Sequence, residues 1–159
     1  MVTEAPASKY RKSNLKLYIA ACIVFGAIFA YDGYLSQYPW SHRQKFYEKH
    51  VIDGKLDSTM VFNRISPLFV LGLAGCLGWW LWKVSGQKVT ADDEKLIIDN
   101  KLNIPYSSIE KIDKTHFSSK GYFALTYRDS SNNTKELKLS DKKYDKLSDI
   151  LQILVEKIS

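Results

Sequence analysis

Two apolar runs constrain this fold more than any other feature: residues 17–34 (LYIAACIVFGAIFAYDGY) and residues 68–84 (LFVLGLAGCLGWWLWKV). The first carries one charge, Asp32, near its end, and the second is uncharged up to Lys83. At 1.5 Å rise per residue each makes a helix of about 25–27 Å, close to the hydrocarbon thickness of a bilayer. In lipid such a helix satisfies its own backbone, whereas in water it would expose apolar surface on every side. The pattern predicts a two-helix membrane hairpin over residues 17–85, with a linker at 35–66 outside the cytoplasm. A cleaved signal peptide competes for the first run, because Ile28-Phe29-Ala30 makes a poor cleavage site. The run is long for such a segment, so an uncleaved anchor is expected.

The flanks set the orientation. Residues 1–16 form a polar, basic tail with Lys9, Arg11, Lys12 and Lys16, and the first eight are expected to be disordered. Seven Lys/Arg lie in the tail and just after the second run (9, 11, 12, 16, 83, 88, 95), against five in the connection (43, 45, 49, 55, 64). This asymmetry predicts a multi-pass protein of the cell (inner) membrane with both termini cytoplasmic. Aromatic and cationic residues at the ends of the runs are interface anchors: Tyr34, Trp40, Trp79, Trp80, Trp82 and Lys83, with Tyr31 and Tyr38 alongside. Small residues recur four apart at Cys22, Gly26 and Ala30, and again at Gly72 and Cys76. Such faces let helix backbones approach in lipid, where packing replaces the hydrophobic drive. The two cysteines lie at similar depth, but as small packing residues rather than a thiol pair. Asp32 is expected to reach the interface rather than serve as an intramembrane acid.

In the connection, Pro39-Trp40 breaks the first helix, and Ser41 is the expected N-cap of a short helix reaching Val51. His42 and His50, eight apart, stand two turns from each other, too far to share a metal without further ligands. Asp53-Gly54-Lys55 reads as a turn, and Asp57-Ser58 as the cap of the next helix.

Beyond residue 87 the period changes from helical to two. Alternating stretches at 88–90, 95–99, 102–106, 109–117 (long, with a bulge), 122–128 and 134–139 predict six short strands. Asp141 is the expected cap of a helix over 142–158, with Tyr144, Leu147, Ile150, Leu151, Leu154, Val155 and Ile158 on one face. Leu96, Ile98, Ile104, Ile109, Phe123, Leu125, Leu137, Leu139, Leu147, Leu151 and Leu154 are the expected core. Of the net charge of +6, residues 1–87 hold ten basic against five acidic residues, and residues 88–159 hold thirteen against twelve. The C-terminal half is thus nearly neutral, which argues against a nucleic-acid surface.

The order and wording of that half, DDEKLIIDNKLNIPYSSIEKID, then GYFALTYRD, then TKELKLSDKKYDKLSDILQIL, resembles the bacterial pleckstrin-homology-like domains of small membrane proteins. The resemblance covers residues 86–158 and does not extend to the hairpin. It implies an α+β chain in which two transmembrane helices precede a small antiparallel barrel or sandwich, plugged at one end by the final helix. Some eukaryotic relatives of that fold hold phosphoinositides with a basic cluster in the first strand-to-strand loop. Here that loop reads Asp92-Asp93-Glu94, which repels phosphate.

No Gly-rich phosphate loop, H-E-x-x-H or nucleophile elbow occurs, and His116 has no partner that the sequence names. No enzymatic activity, cofactor or metal is expected. Two function classes fit: a membrane-anchored scaffold whose C-terminal module binds another protein, or a small accessory subunit of a membrane complex acting through the hairpin. The bilayer is the expected partner of both.

Overall fold

The computed structural model describes residues 2–158. It is a mixed α+β chain that divides into two compact units. One unit is Asn14–Leu81; the other joins Met1–Ser13 to Trp82–Ser159.

The first unit is helical. Helix α1 spans Lys9–Ala30 and passes into a wider turn at Tyr31–Leu35, where the Ser36 N–H donates five residues back to the Tyr31 carbonyl at 3.0 Å. A short α2, Gln44–His50, and a minimal hairpin of β2 (Val51–Ile52) and β3 (Lys55–Leu56) follow. The turn between the strands puts Asp53 and Gly54 at positive φ (51° and 73°), as a two-residue hairpin loop demands. Helix α3 then runs unbroken over Ser58–Ser85 with Pro67 inside it. Its start is capped as expected: the Met60 N–H donates to Asp57 Oδ1 at 2.8 Å. Ser41 is not the N-cap of α2, which begins three residues later behind Arg43. Instead the Ser41 hydroxyl accepts the Arg43 N–H at 3.2 Å and donates to the Tyr31 hydroxyl at 3.0 Å.

Two helical stretches, Lys9–Leu35 and Ser58–Ser85, are long and apolar enough to cross a membrane. Their apolar windows are only 11% and 22% buried within the chain, unlike the mostly buried core helix of a water-soluble domain. Leu68, Phe69, Phe25 and Val24 stand open on their surfaces.

The second unit contains two antiparallel sheets around one core. In the first, the order is β1 (Thr3–Pro6), β4 (Lys88–Ala91), β5 (Lys95–Ile98), β6 (Leu102–Pro105). In the second it is β7 (Ile109–Asp113), β8 (Tyr122–Arg128), β9 (Thr134–Ser140). The expected bulge is present, as a register shift between Ile109 and Lys111. The far end of that predicted strand is not extended, however: Phe117–Lys120 form a single helical turn, α4, closed by Gly121 at φ 67°.

Two expectations are corrected here. The first residues are not disordered. Thr3–Pro6 pair with β4 in the register Thr3↔Ala91 to Pro6↔Lys88, and Ala5 is completely buried. The pairing is fastened by a Glu4–Lys88 ion pair at 2.6 Å and by backbone bonds from Ala7 to Gln87 and from Ser8 to Lys143. The Asp145 carboxylate accepts the Lys9 N–H at 3.0 Å, so the start of α1 is capped by a residue remote in sequence. Neither sheet closes into a barrel. Pro105, which lacks a donor, ends β6, and a 3₁₀ turn at Tyr106–Ser108 carries the chain to the other sheet.

The final helix, α5, covers Leu147–Ile158 rather than starting after Asp141. Lys146 at φ 59° lies outside helical space and stops extension toward the N-terminus. Tyr144 consequently precedes the helix. It is buried, bridged to Ala7, and donates from its hydroxyl to Asp99 Oδ1 at 2.9 Å. Leu147, Ile150, Leu151 and Leu154 of α5 are buried against both sheets. Each such side chain contributes about 1.5–3 kcal/mol on full burial. The expected core residues are all in this cluster, Leu137 at its margin. Ala5, Val89, Ala91, Tyr106, Tyr127, Tyr144 and Ile150 complete it.

Candidate functional site

In the helical unit the polar chemistry gathers where α1 ends. The wider turn at Tyr31–Leu35 swings Asp32 inward, and it is 7% exposed. Arg43 reaches it with two bonds, Nε to Oδ1 at 2.9 Å and Nη2 to Oδ2 at 2.8 Å. The fork geometry of a guanidinium on a carboxylate makes this the strong form of ion pair. Asp32 is thus shielded from solvent and matched by a cation from the connection. The Arg43 guanidinium also lies 4.8 Å from the Phe46 ring centre, and an open hollow of about 440 Å³ beside the pair is walled by Ala27, Ile28 and Tyr31. One residue on, Gly33 touches α3. The Arg64 Nε donates to the Gly33 carbonyl at 2.9 Å, and the Tyr34 hydroxyl donates to the Arg64 carbonyl at 2.7 Å. Among the described residues the buried Ser66 hydroxyl has no hydrogen-bond partner.

The sequence-derived packing positions separate here. Gly26 is a true approach point: a Cβ there would fall 2.8 Å from Leu71 Cδ2. Gly72 faces open space, and Cys76 is exposed, so neither packs α1 against α3. Cys22 and Ala30 are half-buried. A contact tighter than that at Gly26 was not anticipated: at Gly33 a Cβ would sit 2.6 Å from the Asn63 carbonyl oxygen. A signal for it exists in the sequence. Pro67 has no N–H to give the carbonyl four residues before it, which is that of Asn63. The expected anchors Tyr34, Trp40, Trp79, Trp80, Trp82 and Lys83 are all exposed, and Tyr38 stacks on Trp40 at 5.6 Å. Trp40 and Trp82, more than 60% exposed, are free to lie at a headgroup level.

His50 Nδ1 meets Asp57 Oδ2 at 2.6 Å, and this bond, with the Met60 N–H, holds the Asp57 carboxyl below the ordinary carboxylate range. His116 lies 5.3 Å from the Tyr122 ring, and His42 is exposed. Among the described residues no group of three or more His, Cys, Asp or Glu could hold a metal ion.

In the sheet unit, the acidic loop is structural. Asp92 Oδ1 accepts the N–H groups of Glu94 and Lys95 at 2.8 and 2.7 Å, which lowers the Asp92 pKa. The Tyr106 hydroxyl donates to the Asp92 carbonyl at 2.7 Å, and burial, with the nearby acidic charges, pushes its pKa up to about 12. Basic residues elsewhere are partly engaged. Arg128 pairs with Glu110, Lys135 with Asp129 at 2.8 Å, and the Lys138 ammonium lies 3.4 Å from the Tyr122 ring centre. A polar hollow of about 680 Å³ between α4 and the end of β9 is lined by Ser118, Ser119, Lys120, Lys138, Asp141 and Lys142. Asp141 itself abuts Gly121 rather than capping a helix.

Compared with protein-family models, with curated proteins and with solved structures, the chain matches none.

Proposed function

We propose that this chain is a membrane-anchored interaction module: a two-helix hairpin in the bilayer carrying a non-catalytic, pleckstrin-homology-like sheet domain that binds protein on the cytoplasmic side. The observation that carries the reading is the pairing of β1 with β4. Residues before α1 and residues after α3 belong to one sheet and share Ala5, Val89 and Ala91 in one core. Two spanning helices flanked by one domain require an even number of crossings, so both flanks lie on one side. The Lys/Arg asymmetry favours the cytoplasm for that side. The paired or stacked Arg128, Lys135 and Lys138 and the carboxylates of the first loop argue for protein over anionic headgroups as the target.

The hairpin supports a second reading, an accessory subunit of a membrane complex. An open apolar groove of about 650 Å³ runs along α3 between Leu56 and Val70, lined by Val61, Phe62, Ile65 and Phe69. A helix of another subunit fits such a groove.

Photo-crosslinking residues placed in the full chain distinguish the two. One set replaces Ser130 and Lys146 on the sheet unit, the other Val61 and Phe69 on α3, all in intact membranes. Protein adducts from the sheet set are expected. Adducts from the α3 set alone would favour the accessory-subunit reading, and none from either set would overturn both.

A further inference from the structure

Strand β9 is an unusually open edge. Among the described sheet edges, β1 and β6 are four residues long and each ends in proline, while β7 carries a register shift. Proteins blunt edges in these ways to prevent unwanted pairing. β9 has none of them. Its seven residues pair without interruption with β8, from Tyr122↔Ser140 to Arg128↔Thr134, and it contains neither proline nor glycine. Its outer edge is bonded only at its end, where the Ser140 carbonyl accepts the Lys143 and Tyr144 N–H groups at 2.9 and 3.0 Å; no other backbone hydrogen bond from the described residues reaches it.

Lysines on an edge commonly repel other strands, but here their arrangement has a second property. Glu136 and Lys138 project from the face opposite Leu137 and Leu139. Laid antiparallel against an identical strand, with a two-fold axis through Leu137, β9 places Glu136 opposite Lys138 twice. Thr134 then meets Ser140, and the half-buried Leu137 meets its own copy on the core face. A slip of two residues in either direction, the smallest that keeps the faces matched, sets Glu136 against Glu136 or Lys138 against Lys138. Opposite charges across a pair stabilise and like charges destabilise, so one register is selected. Lys135 is already paired with Asp129 and Lys138 stands over Tyr122, while Glu136 has no partner among the described residues.

We propose that β9 pairs with β9 of a second copy of this chain, joining two three-stranded sheets into one of six strands through an isologous, two-fold interface. This deepens the interaction-module reading and rests on it: the partner of the sheet unit is the chain itself.

The test uses the full chain in nanodiscs, with Cys22 and Cys76 replaced by alanine. Leu137→Cys is expected to give disulfide-linked dimers on mild oxidation, since facing Cβ atoms in such a pair lie about 4.5–5.5 Å apart. Glu136→Lys turns both attractive pairs repulsive and is expected to weaken dimerisation about ten-fold or more. The double exchange Glu136→Lys with Lys138→Glu restores it. Both residues are exposed, so particle mass by light scattering across concentration carries the test even where the cysteine variant folds poorly. A monomer at every concentration, or a dimer indifferent to Glu136→Lys, overturns the proposal. A monomer whose sheet unit still crosslinks to another protein overturns self-pairing alone and leaves the interaction module standing.

Discussion

Gly33, Gly26 and Gly72 read alike in the sequence, as small residues at the ends or middles of apolar helices, yet their surroundings differ in kind. A methyl at Gly33 would strike the Asn63 carbonyl and the Arg64 nitrogen, and backbone cannot swing aside. A methyl at Gly26 would press a Leu71 branch, which can rotate. A methyl at Gly72 would meet nothing within 4 Å. Gly33→Ala is therefore expected to cost about 1–3 kcal/mol and Gly26→Ala less. Gly72→Ala is expected to be neutral or slightly stabilising through its better helix propensity. Thermal unfolding of the three variants in detergent checks the order. An equal loss at all three would mean that α1 and α3 do not approach at Gly33. The same contrast holds for Asp32. Its carboxylate could be seen in the sequence, but its partner could not, because Arg43 lies eleven positions on, across a broken helix.

At the scale of elements, the long helices and most strands follow from local pattern, whereas β1 does not. Thr3–Pro6 are four residues with no alternation of large apolar side chains, and an isolated extended segment of that length has no stability of its own. It is held by β4, by the Glu4–Lys88 pair and by the burial of Ala5. Ala5→Glu would place a carboxylate at a position with no solvent contact and no cation prepared for it. The expected loss exceeds about 3 kcal/mol. Glu4→Ala removes only an exposed pair and is expected to cost under about 1 kcal/mol. Chemical denaturation followed by tryptophan-independent far-UV signal separates the two. A small effect of Ala5→Glu would count against the N-terminal strand belonging to the sheet unit. The shortened α5 teaches the converse lesson. Tyr144 has the right spacing for the helix face, but Lys146 in left-handed space breaks the helix and leaves Tyr144 to bond Asp99 instead.

For the whole molecule, the joint sheet of β1 and β4 makes topology a testable consequence of folding. In the cysteine-free chain, Glu48→Cys in the connection is expected to react with an impermeant thiol reagent in intact cells, and Ser130→Cys in the β8–β9 turn is expected to react only after permeabilisation. Both sites are exposed, whereas Ser41 is buried and would report poorly on either side. Labelling of Ser130→Cys in intact cells would reverse the orientation. Labelling of Thr3→Cys and Ser130→Cys on opposite sides would contradict the shared sheet itself.

What the sequence determined by itself is what depends on neighbours along the chain. The long apolar runs, the aromatic ends, the period-two strands and the 3-4-7 spacing of Leu147, Ile150, Leu151 and Leu154 are short-range patterns, and each reports an element or the face it buries. The cap at Asp57 and the positive-φ turn at Asp53-Gly54 are equally local. Only the tertiary structure decided which elements meet. It brought residues 3–6 to β4 across more than eighty positions and, of the barrel or sandwich expected, left both sheets open. It also chose Gly33 over Gly72 as the point of helix approach and matched Asp32 with Arg43. The physical reason is common to these cases. A short strand, a small residue or a lone charge has almost no conformational preference of its own, so its place is set by the surface it meets, and that surface exists only once the rest of the chain has folded.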